Sequence, residues 1–156
     1  MWRRQPGAKE LAAVCPTQPF PLGYSFPSEG FVQASIEKHF AALGFIQSKE
    51  AHADYYGKHP DTGEEWFVEA KGKTSDVGLD FRTGLGQLLQ GMKEPNRKYA
   101  IAIPDIPQFI AQCNRVSERV RELLQIHWLI VGEDGVVRVV CWRANEVTRM
   151  AKAVRA

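Results

Sequence analysis

Two carboxylates and one ammonium are the side chains of this sequence best suited to chemistry: Asp54, Glu69 and Lys71. The sequence predicts one strand over 53–58 and the next over 65–72, with a Pro-Asp-Thr-Gly turn between them. Because the strands of a hairpin lie roughly 4.8 Å apart, we expect all three side chains to converge.

The alternation of side chains along a strand puts Glu69 and Lys71 on one face and Ala70 on the other. Charged groups in the middle of a sheet cost free energy unless they are paired or bound to a metal. Mg²⁺ is commonly held by one or two carboxylates, with water and substrate phosphate as its other ligands. The sequence therefore predicts a Mg²⁺ site, with Mn²⁺ as a substitute, beside a lysine that orients water or stabilises negative charge. Zinc is less favoured, because no histidine pair or cysteine ligands accompany the set.

The predicted elements around this set alternate between helices and strands. In chain order they are a helix over 28–43, strands over 45–49, 53–58 and 65–72, a helix over 80–92, a strand over 99–103, a helix over 107–125, strands over 128–131 and 136–142, and a helix over 144–153. This order predicts an α/β sandwich around a mixed sheet, with an αβββαβ core extended by a helix, a hairpin and a helix.

Two helices have apolar stripes that predict which face is buried. The first has Val32, Ile36, Phe40 and Leu43, and Gly44 is expected to end it. The helix over 107–125 has an inner stripe that consists of Ile110, Cys113, Val116, Val120 and Leu123.

Length, charge and cysteine content limit the class of protein. The 156 residues predict one domain over 28–156 after an irregular, proline-rich arm over 1–27. The net charge of +2 permits nucleic-acid binding without requiring it. Three widely spaced cysteines favour a reducing compartment, which indicates the cytoplasm. No apolar run approaches the roughly 18 residues of a membrane helix, so we expect no membrane association.

The motif resembles that of the PD-(D/E)XK phosphodiesterase superfamily, which includes restriction endonucleases, recombination nucleases and junction resolvases. Asp54, fourteen intervening residues, Glu69-Ala70-Lys71 and the αβββαβ order carry the resemblance, which covers roughly residues 28–103. It implies that Asp54 and Glu69 bind metal and that Lys71 is the catalytic lysine. Glu37 matches a further metal-site glutamate that many members have on the first helix, and Glu29 is a less favoured substitute.

The helix over 80–92 adds to the resemblance. Gln87 matches a glutamine that a large subset of the superfamily has beside the active site, although Gly91 replaces the tyrosine that often follows four residues later. Gly84, Gly86 and Gly91 should each cost this helix about 1 kcal/mol relative to alanine. We therefore expect another backbone, either that of the sheet or that of a nucleic-acid strand, to approach the helix closely at these positions.

The sequence thus predicts a metal-dependent nuclease that hydrolyses DNA, with RNA still open as a substrate. The alternative is a catalytically inactive nuclease-fold module that binds nucleic acid or a partner protein; a homodimer or a larger complex is compatible with both. Polar side chains expected near the nucleic acid are Lys73, Thr74, Arg82 and Thr83, and further candidate phosphate contacts are Lys93, Arg97 and Lys98. For all of these residues a solvated polar surface is the alternative.

Overall fold

The structure is a computed structural model and describes residues 24–49 and 52–143. Most of the predicted arm (residues 1–23) and the predicted helix over 144–153 lie outside the described residues. Within the described ranges, no helix is long and apolar enough to cross a membrane.

The described residues form four helices and six strands. In chain order these are α1 (Glu29–Ala42), β1 (Ile46–Gln47), β2 (Tyr55–Lys58), β3 (Glu65–Ala70), α2 (Val77–Gly91), β4 (Lys98–Pro104), α3 (Pro107–Arg115), α4 (Glu118–Leu124), β5 (Ile126–Val131) and β6 (Val137–Val140). The predicted α/β class and the αβββαβ order of the core are confirmed.

The strands form one mixed sheet in which chain order and spatial order agree, from β1 to β6. β2 is antiparallel to β1 and to β3, whereas β3, β4 and β5 run parallel. β6 returns antiparallel to β5. β3 therefore lies inside the sheet, between the predicted hairpin partner β2 and the first parallel neighbour β4.

The two faces of β3 contribute to two different hydrophobic clusters. Trp66, Val68 and Ala70 pack in the cluster that includes the buried residues of α1, whereas Phe67 packs with Phe81 of α2. The predicted alternation along this strand is therefore confirmed, and Glu69 lies on the α2 side of the sheet.

Helix α1 begins and ends largely as its sequence predicts. Ser28 caps it by accepting a hydrogen bond from the backbone N–H of Phe31 at 3.2 Å. Gly44 follows the helix with a φ of +89°, the left-handed conformation that favours glycine. The predicted apolar face of this helix is wrong at one residue, because Leu43, at the end of the helix, is exposed.

The single helix predicted over 107–125 is wrong, because the chain forms α3 and α4 with a break between them. Val116 leaves the helical conformation with a ψ of 125°. The break rotates the following turn, so the predicted inner residues Val120 and Leu123 are 42% and 71% exposed. Phe109 and Cys113 are the residues of α3 that enter the core.

The hairpin predicted around residues 133–135 is confirmed. Gly135 has a φ of +78° and its N–H donates to the carbonyl of Gly132 at 2.9 Å. β5 begins two residues earlier than expected and is buried along its whole length, and β6 ends at Val140.

Candidate active site

The site is built around Glu69, which lies near the carboxyl end of β3 on the face covered by α2. Its relative exposure is 3%, although it is a carboxylic acid. A carboxylate with so little access to water requires a partner or a shift in its protonation state.

Asp54 is the nearest acidic partner and lies directly before β2. Its Oδ2 accepts a hydrogen bond from the backbone N–H of Ala70 at 2.7 Å. The carboxyl groups of Asp54 and Glu69 are also hydrogen-bonded to each other. The antiparallel pairing of β2 with β3 therefore brings together two acidic residues that have fourteen residues between them in the sequence.

The pKa of Glu69 is raised from 4.5 to about 8. Burial is the largest cause, followed by the negative charge of Asp54 and the hydrogen bond to it, while Lys71 acts in the opposite direction. The two adjacent carboxyl groups together offer oxygen ligands that suit a divalent cation.

Lys71 follows β3 and continues its pairing, because its N–H donates to the carbonyl of Ala102 at 2.9 Å. Its side chain is 13% exposed, and its Nζ lies 3.8 Å from Oε2 of Glu29. The aliphatic stem runs under α2 at Gly84, where an added Cβ would lie 2.6 Å from Cγ of Lys71. This glycine therefore leaves the space through which the lysine side chain passes.

The segment after Lys71 is pressed against the start of α1. A Cβ added to Gly72 would overlap the backbone of Ser28 and Glu29, and the N–H of Lys73 donates to the carbonyl of Pro27 at 2.9 Å. This close approach brings Glu29 to Lys71, and the charge of Glu29 also contributes to raising the pKa of Glu69. The requirement for Gly72 was missed in the sequence, where its position directly after Glu-Ala-Lys was the available signal.

Glu37 lies in different surroundings. Its Oε1 accepts hydrogen bonds from the side-chain amides of Gln33 and Gln47, both at 3.3 Å. Its charge adds to burial in raising the pKa of Tyr55 to about 12, and Tyr55 packs on the α1 side of the sheet. Gln33 also donates to the carbonyl of Asp54 at 3.3 Å, so Glu37 is linked to the site through an amide. Its role as a metal ligand stays a prediction.

A cleft of about 370 Å³ opens over the carboxyl pair. It is lined by His52, Ala53, Asp54, Glu69, Gln87, Gln90 and Lys93. The structure thus brings Gln87 to the same cleft as Asp54 and Glu69, as the sequence predicts. His52 and Gln90 were missed, since nothing in their local sequence marks them; His52 has a φ of +75°, which is uncommon for residues other than glycine.

The predicted nucleic-acid contacts near the start of α2 are exposed but lie outside this cleft. Thr74 donates through Oγ1 to Oδ2 of Asp80 at 2.6 Å, so this side chain helps to order the loop before the helix. Lys73, Arg82 and Thr83 are exposed to solvent, and their contact with nucleic acid stays a prediction.

Two further cations that were considered as phosphate contacts are held at the other end of β3. Arg97 Nε donates to Oε2 of Glu65 at 2.8 Å, and Lys98 Nζ lies 2.9 Å from Oε2 of Glu64. Because these charges are already paired with carboxylates, the cations form surface ion pairs at the starts of β3 and β4.

The three glycines of α2 have different surroundings. Gly84 admits Lys71, and a Cβ added to Gly91 would lie 2.5 Å from the ring of Phe67. The expected approach of another backbone is therefore wrong at these two positions, because side chains of the sheet, and not its backbone, meet the helix there. Gly86 has no other residue within 4 Å of its added Cβ, so packing gives no reason for this glycine.

The donor set at the cleft suits Mg²⁺. Within residues 24–49 and 52–143, no group of three or more His, Cys, Asp or Glu residues is arranged to hold a metal ion. The carboxyl pair of Asp54 and Glu69 nevertheless fits a hard cation that uses one or two carboxylates and fills its other positions with water and phosphate.

The order of helices and strands defines an α/β protein whose six-stranded mixed sheet, flanked by helices, is compatible with a restriction-endonuclease-like core. Among solved structures, the chain is similar to an XisH family protein from Nostoc punctiforme, with a TM-score of 0.52 and 16% sequence identity. The alignment covers 70% of this chain and 98% of that chain, and at this identity the likeness concerns the fold alone. No protein-family model and no curated protein matches the chain.

Proposed function

We propose that the chain is a metal-dependent nuclease that hydrolyses DNA phosphodiester bonds at the cleft between β2, β3 and α2. The observation that carries this proposal is the pair of hydrogen-bonded carboxyl groups of Asp54 and Glu69, one of them almost fully buried, on the floor of a polar cleft. A binding surface without chemistry gains nothing from two acids beside a phosphate, because like charges repel.

Asp54 and Glu69 would hold Mg²⁺, or Mn²⁺ in its place. When bound, the metal lowers the pKa of a water ligand and neutralises charge on the phosphate. The hydrogen bond from the backbone N–H of Ala70 fixes one oxygen of Asp54, so the other oxygen is oriented without loss of entropy during binding.

Lys71 supplies the positive charge of the site. Its stem is confined under Gly84, so the ammonium has a restricted set of positions from which it can donate to the attacking water or to a phosphate oxygen. Glu29 pairs with this ammonium and would hold it in place until substrate arrives. Gln87 lines the same cleft and would donate its amide hydrogens to the substrate or the metal-bound water.

The third acidic residue of the site is a choice between Glu29 and Glu37. The ion pair with Lys71 and the electrostatic effect on Glu69 favour Glu29, whereas Glu37 is satisfied by two glutamine amides. Glu29→Gln should therefore lower the cleavage rate more than Glu37→Gln.

The direct test is cleavage of plasmid DNA, single-stranded DNA and RNA by the purified chain with Mg²⁺, Mn²⁺ or EDTA. We expect cleavage of DNA that EDTA abolishes and that is lost in Asp54→Asn and Lys71→Ala. Lys38→Ala, a change of an exposed cation on α1, is the control for nonspecific effects of charge. Cleavage that survives in both site variants would contradict the proposal.

A second candidate function is a nuclease-fold module that binds nucleic acid or a partner protein without catalysis. Two observations favour it: Lys71 is engaged with Glu29, and the described residues offer a pair of carboxylates rather than a larger ligand set. Calorimetric titration with Mg²⁺ separates the two functions, because an inactive module should show no binding that depends on Asp54 or Glu69.

Assembly and location belong to the same proposal. A homodimer or a larger complex is compatible with the exposed apolar side chains of α4, where Leu123 is 71% exposed. A cytoplasmic location is favoured by Cys113 and Cys141, which are free thiols.

A further inference from the structure

Five cations were considered as contacts for a nucleic-acid strand, and the structure separates them by position. Lys93 lines the cleft over the carboxyl pair, whereas Lys73 and Arg82 lie outside it, at the start of α2. Arg97 and Lys98 are bound to glutamates at the far end of β3. Of these five cations, Lys93 is therefore the one that lines the cleft, so a strand that leaves the site past Lys93 meets a positive charge.

The walls of the cleft come from two elements. The segment before β2 contributes His52 and Asp54, and the second half of α2 contributes Gln87 and Gln90, with Lys93 just after the helix. Gln87 and Gln90 are one helical turn apart, about 4.5 Å along the axis, so their amides follow each other along one wall. All of these side chains donate hydrogen bonds except Asp54, which is the arrangement that phosphate and sugar oxygens require.

Lys93 has its charge available for a ligand. It is exposed, and it forms no ion pair with any carboxylate in the part of the chain that the structure describes. The nearest acidic groups in its cleft, Asp54 and Glu69, are the proposed metal ligands. Lys93 therefore adds a positive charge to the same cleft as the carboxyl pair, where it is available to a second phosphate of the same strand.

We propose that the substrate is a polynucleotide strand that runs from the carboxyl pair along Gln87 and Gln90 to Lys93, which binds the phosphate next to the one that is cleaved. This inference rests on the proposed nuclease function and adds a direction for the strand and a minimum length for the substrate. His52 also lines the cleft, from the segment before β2. The rival path runs along Lys73 and Arg82, toward the start of α2.

The test compares a single-stranded dodecanucleotide with a dinucleotide, which has one phosphodiester bond and no neighbouring phosphate. Values of kcat and KM are measured with Mg²⁺ for the full chain and for Lys93→Ala, Lys93→Arg and Lys38→Ala. Lys93 is an exposed residue after the end of α2, so its replacement should leave the fold intact, which circular dichroism and a melting curve verify.

We expect Lys93→Ala to lower kcat/KM for the dodecanucleotide about tenfold, mainly through KM, because one charged contact is lost. The loss should be much smaller for the dinucleotide, and Lys93→Arg should retain most of the activity. In Lys93→Ala, the negative slope of log(kcat/KM) against log[salt] should become shallower by about 0.7, the value for one phosphate of a single strand. Lys38→Ala should change neither the activity nor the slope.

Two outcomes would overturn the inference while leaving the proposed function intact. One is equal loss for both substrates in Lys93→Ala, or no loss beyond that of Lys38→Ala. The other is a large, length-dependent loss in Arg82→Ala with none in Lys93→Ala, which would assign the strand to the rival path. A full chain that cleaves neither these substrates nor plasmid DNA with Mg²⁺ or Mn²⁺ would instead refute the inference and the nuclease function together.

Discussion

Glu65 and Glu69 have opposite surroundings at the two ends of β3, although they are four positions apart on one strand. At the amino end, Glu65 pairs with Arg97 at 2.8 Å and with Lys58 at 3.2 Å. At the carboxyl end, Glu69 is buried and is hydrogen-bonded to another acid, Asp54. One end is satisfied by the protein itself, whereas at the other end two carboxyl groups adjoin and Lys71 offsets their charge in part.

The difference is visible in the protonation of the two side chains. The hydrogen bond from Arg97 is the main cause that lowers the pKa of Glu65, whereas burial and Asp54 raise the pKa of Glu69 to about 8. Structural ion pairs favour the charged form, and perturbation toward the neutral form in a cleft is typical of functional sites. The comparison teaches that charge alone does not distinguish these glutamates, but their partners do.

The largest expected effect is on catalysis, and it should be confined to one end of the strand. Glu69→Gln removes a proposed metal ligand and should lower the cleavage rate by a factor on the order of 1,000, since metal stabilisation of the transition state amounts to several kcal/mol. Glu65→Gln, the matched change at the other end, should keep the rate within about threefold. Single-turnover cleavage of a labelled duplex measures both, and equal losses would remove the distinction.

The next effect is on stability and has opposite signs at the two ends. The raised pKa of Glu69 means that its neutral form favours folding; this contribution is complete below about pH 4.5 and is lost as the pH rises toward 8. Glu69→Gln should therefore make the metal-free protein more stable at pH 8, by on the order of 2 kcal/mol, with little gain at pH 4.5.

Glu65 provides the opposite control. The lowered pKa of Glu65 stabilises the folded protein at pH values above the pKa that this group has in the unfolded chain, and the contribution is lost as the pH falls. Glu65→Gln should therefore destabilise the protein at pH 8. Urea unfolding in EDTA at both pH values measures the difference. A Glu69→Gln variant that is less stable than the wild type at pH 8 would contradict the claim that the ionised Glu69 side chain destabilises the metal-free folded protein.

A third test changes the space around Lys71, the proposed catalytic lysine. Gly84→Ala should push the stem of Lys71 aside and destabilise the protein by about 1–3 kcal/mol, with a further loss of activity. Gly86→Ala on the same helix meets nothing and should stabilise by up to about 1 kcal/mol. Thermal unfolding and cleavage assays are made on both variants, and the same sign for both would show that Lys71 is not confined by Gly84.

The smallest expected effect is the loss of an exposed ion pair at the satisfied end. Lys58→Ala removes one partner of Glu65, but Lys58 is more than half exposed and Arg97 remains. The free energy of unfolding should fall by less than about 0.5 kcal/mol, and the change should diminish at high salt. A loss that exceeds this value and persists in 1 M salt would mean that the amino end depends on Lys58 more than its exposure indicates.

Much of the frame around the site could be predicted because it depends on local pattern. The alternation of Trp66, Phe67 and Val68 fixes which face of β3 meets each helix, and the turn before Glu65 fixes its pairing with β2. These features need no knowledge of distant residues, so the convergence of Asp54 and Glu69 followed from them.

The remainder depends on packing that no local pattern records. Glu29 reaches Lys71 because Gly72 allows the backbone after β3 to touch the start of α1, and a sequence does not reveal this contact. The break at Val116 is marked by neither proline nor glycine, so the apolar stripe continued across it in the prediction. His52 lines the cleft and has a positive φ, which is uncommon for residues other than glycine and which its local sequence does not mark.

The central claim, that Asp54 and Glu69 jointly bind a divalent metal, is tested most directly by a crystal structure of the chain with Mn²⁺ and a short duplex. An anomalous difference map locates the metal independently of the refined coordinates. We expect one peak within metal–oxygen bonding distance of both carboxylates, and its disappearance in Glu69→Gln. A peak held by Glu37 without Asp54 and Glu69, or none in the cleft of crystals whose protein cleaves DNA, would contradict the claim.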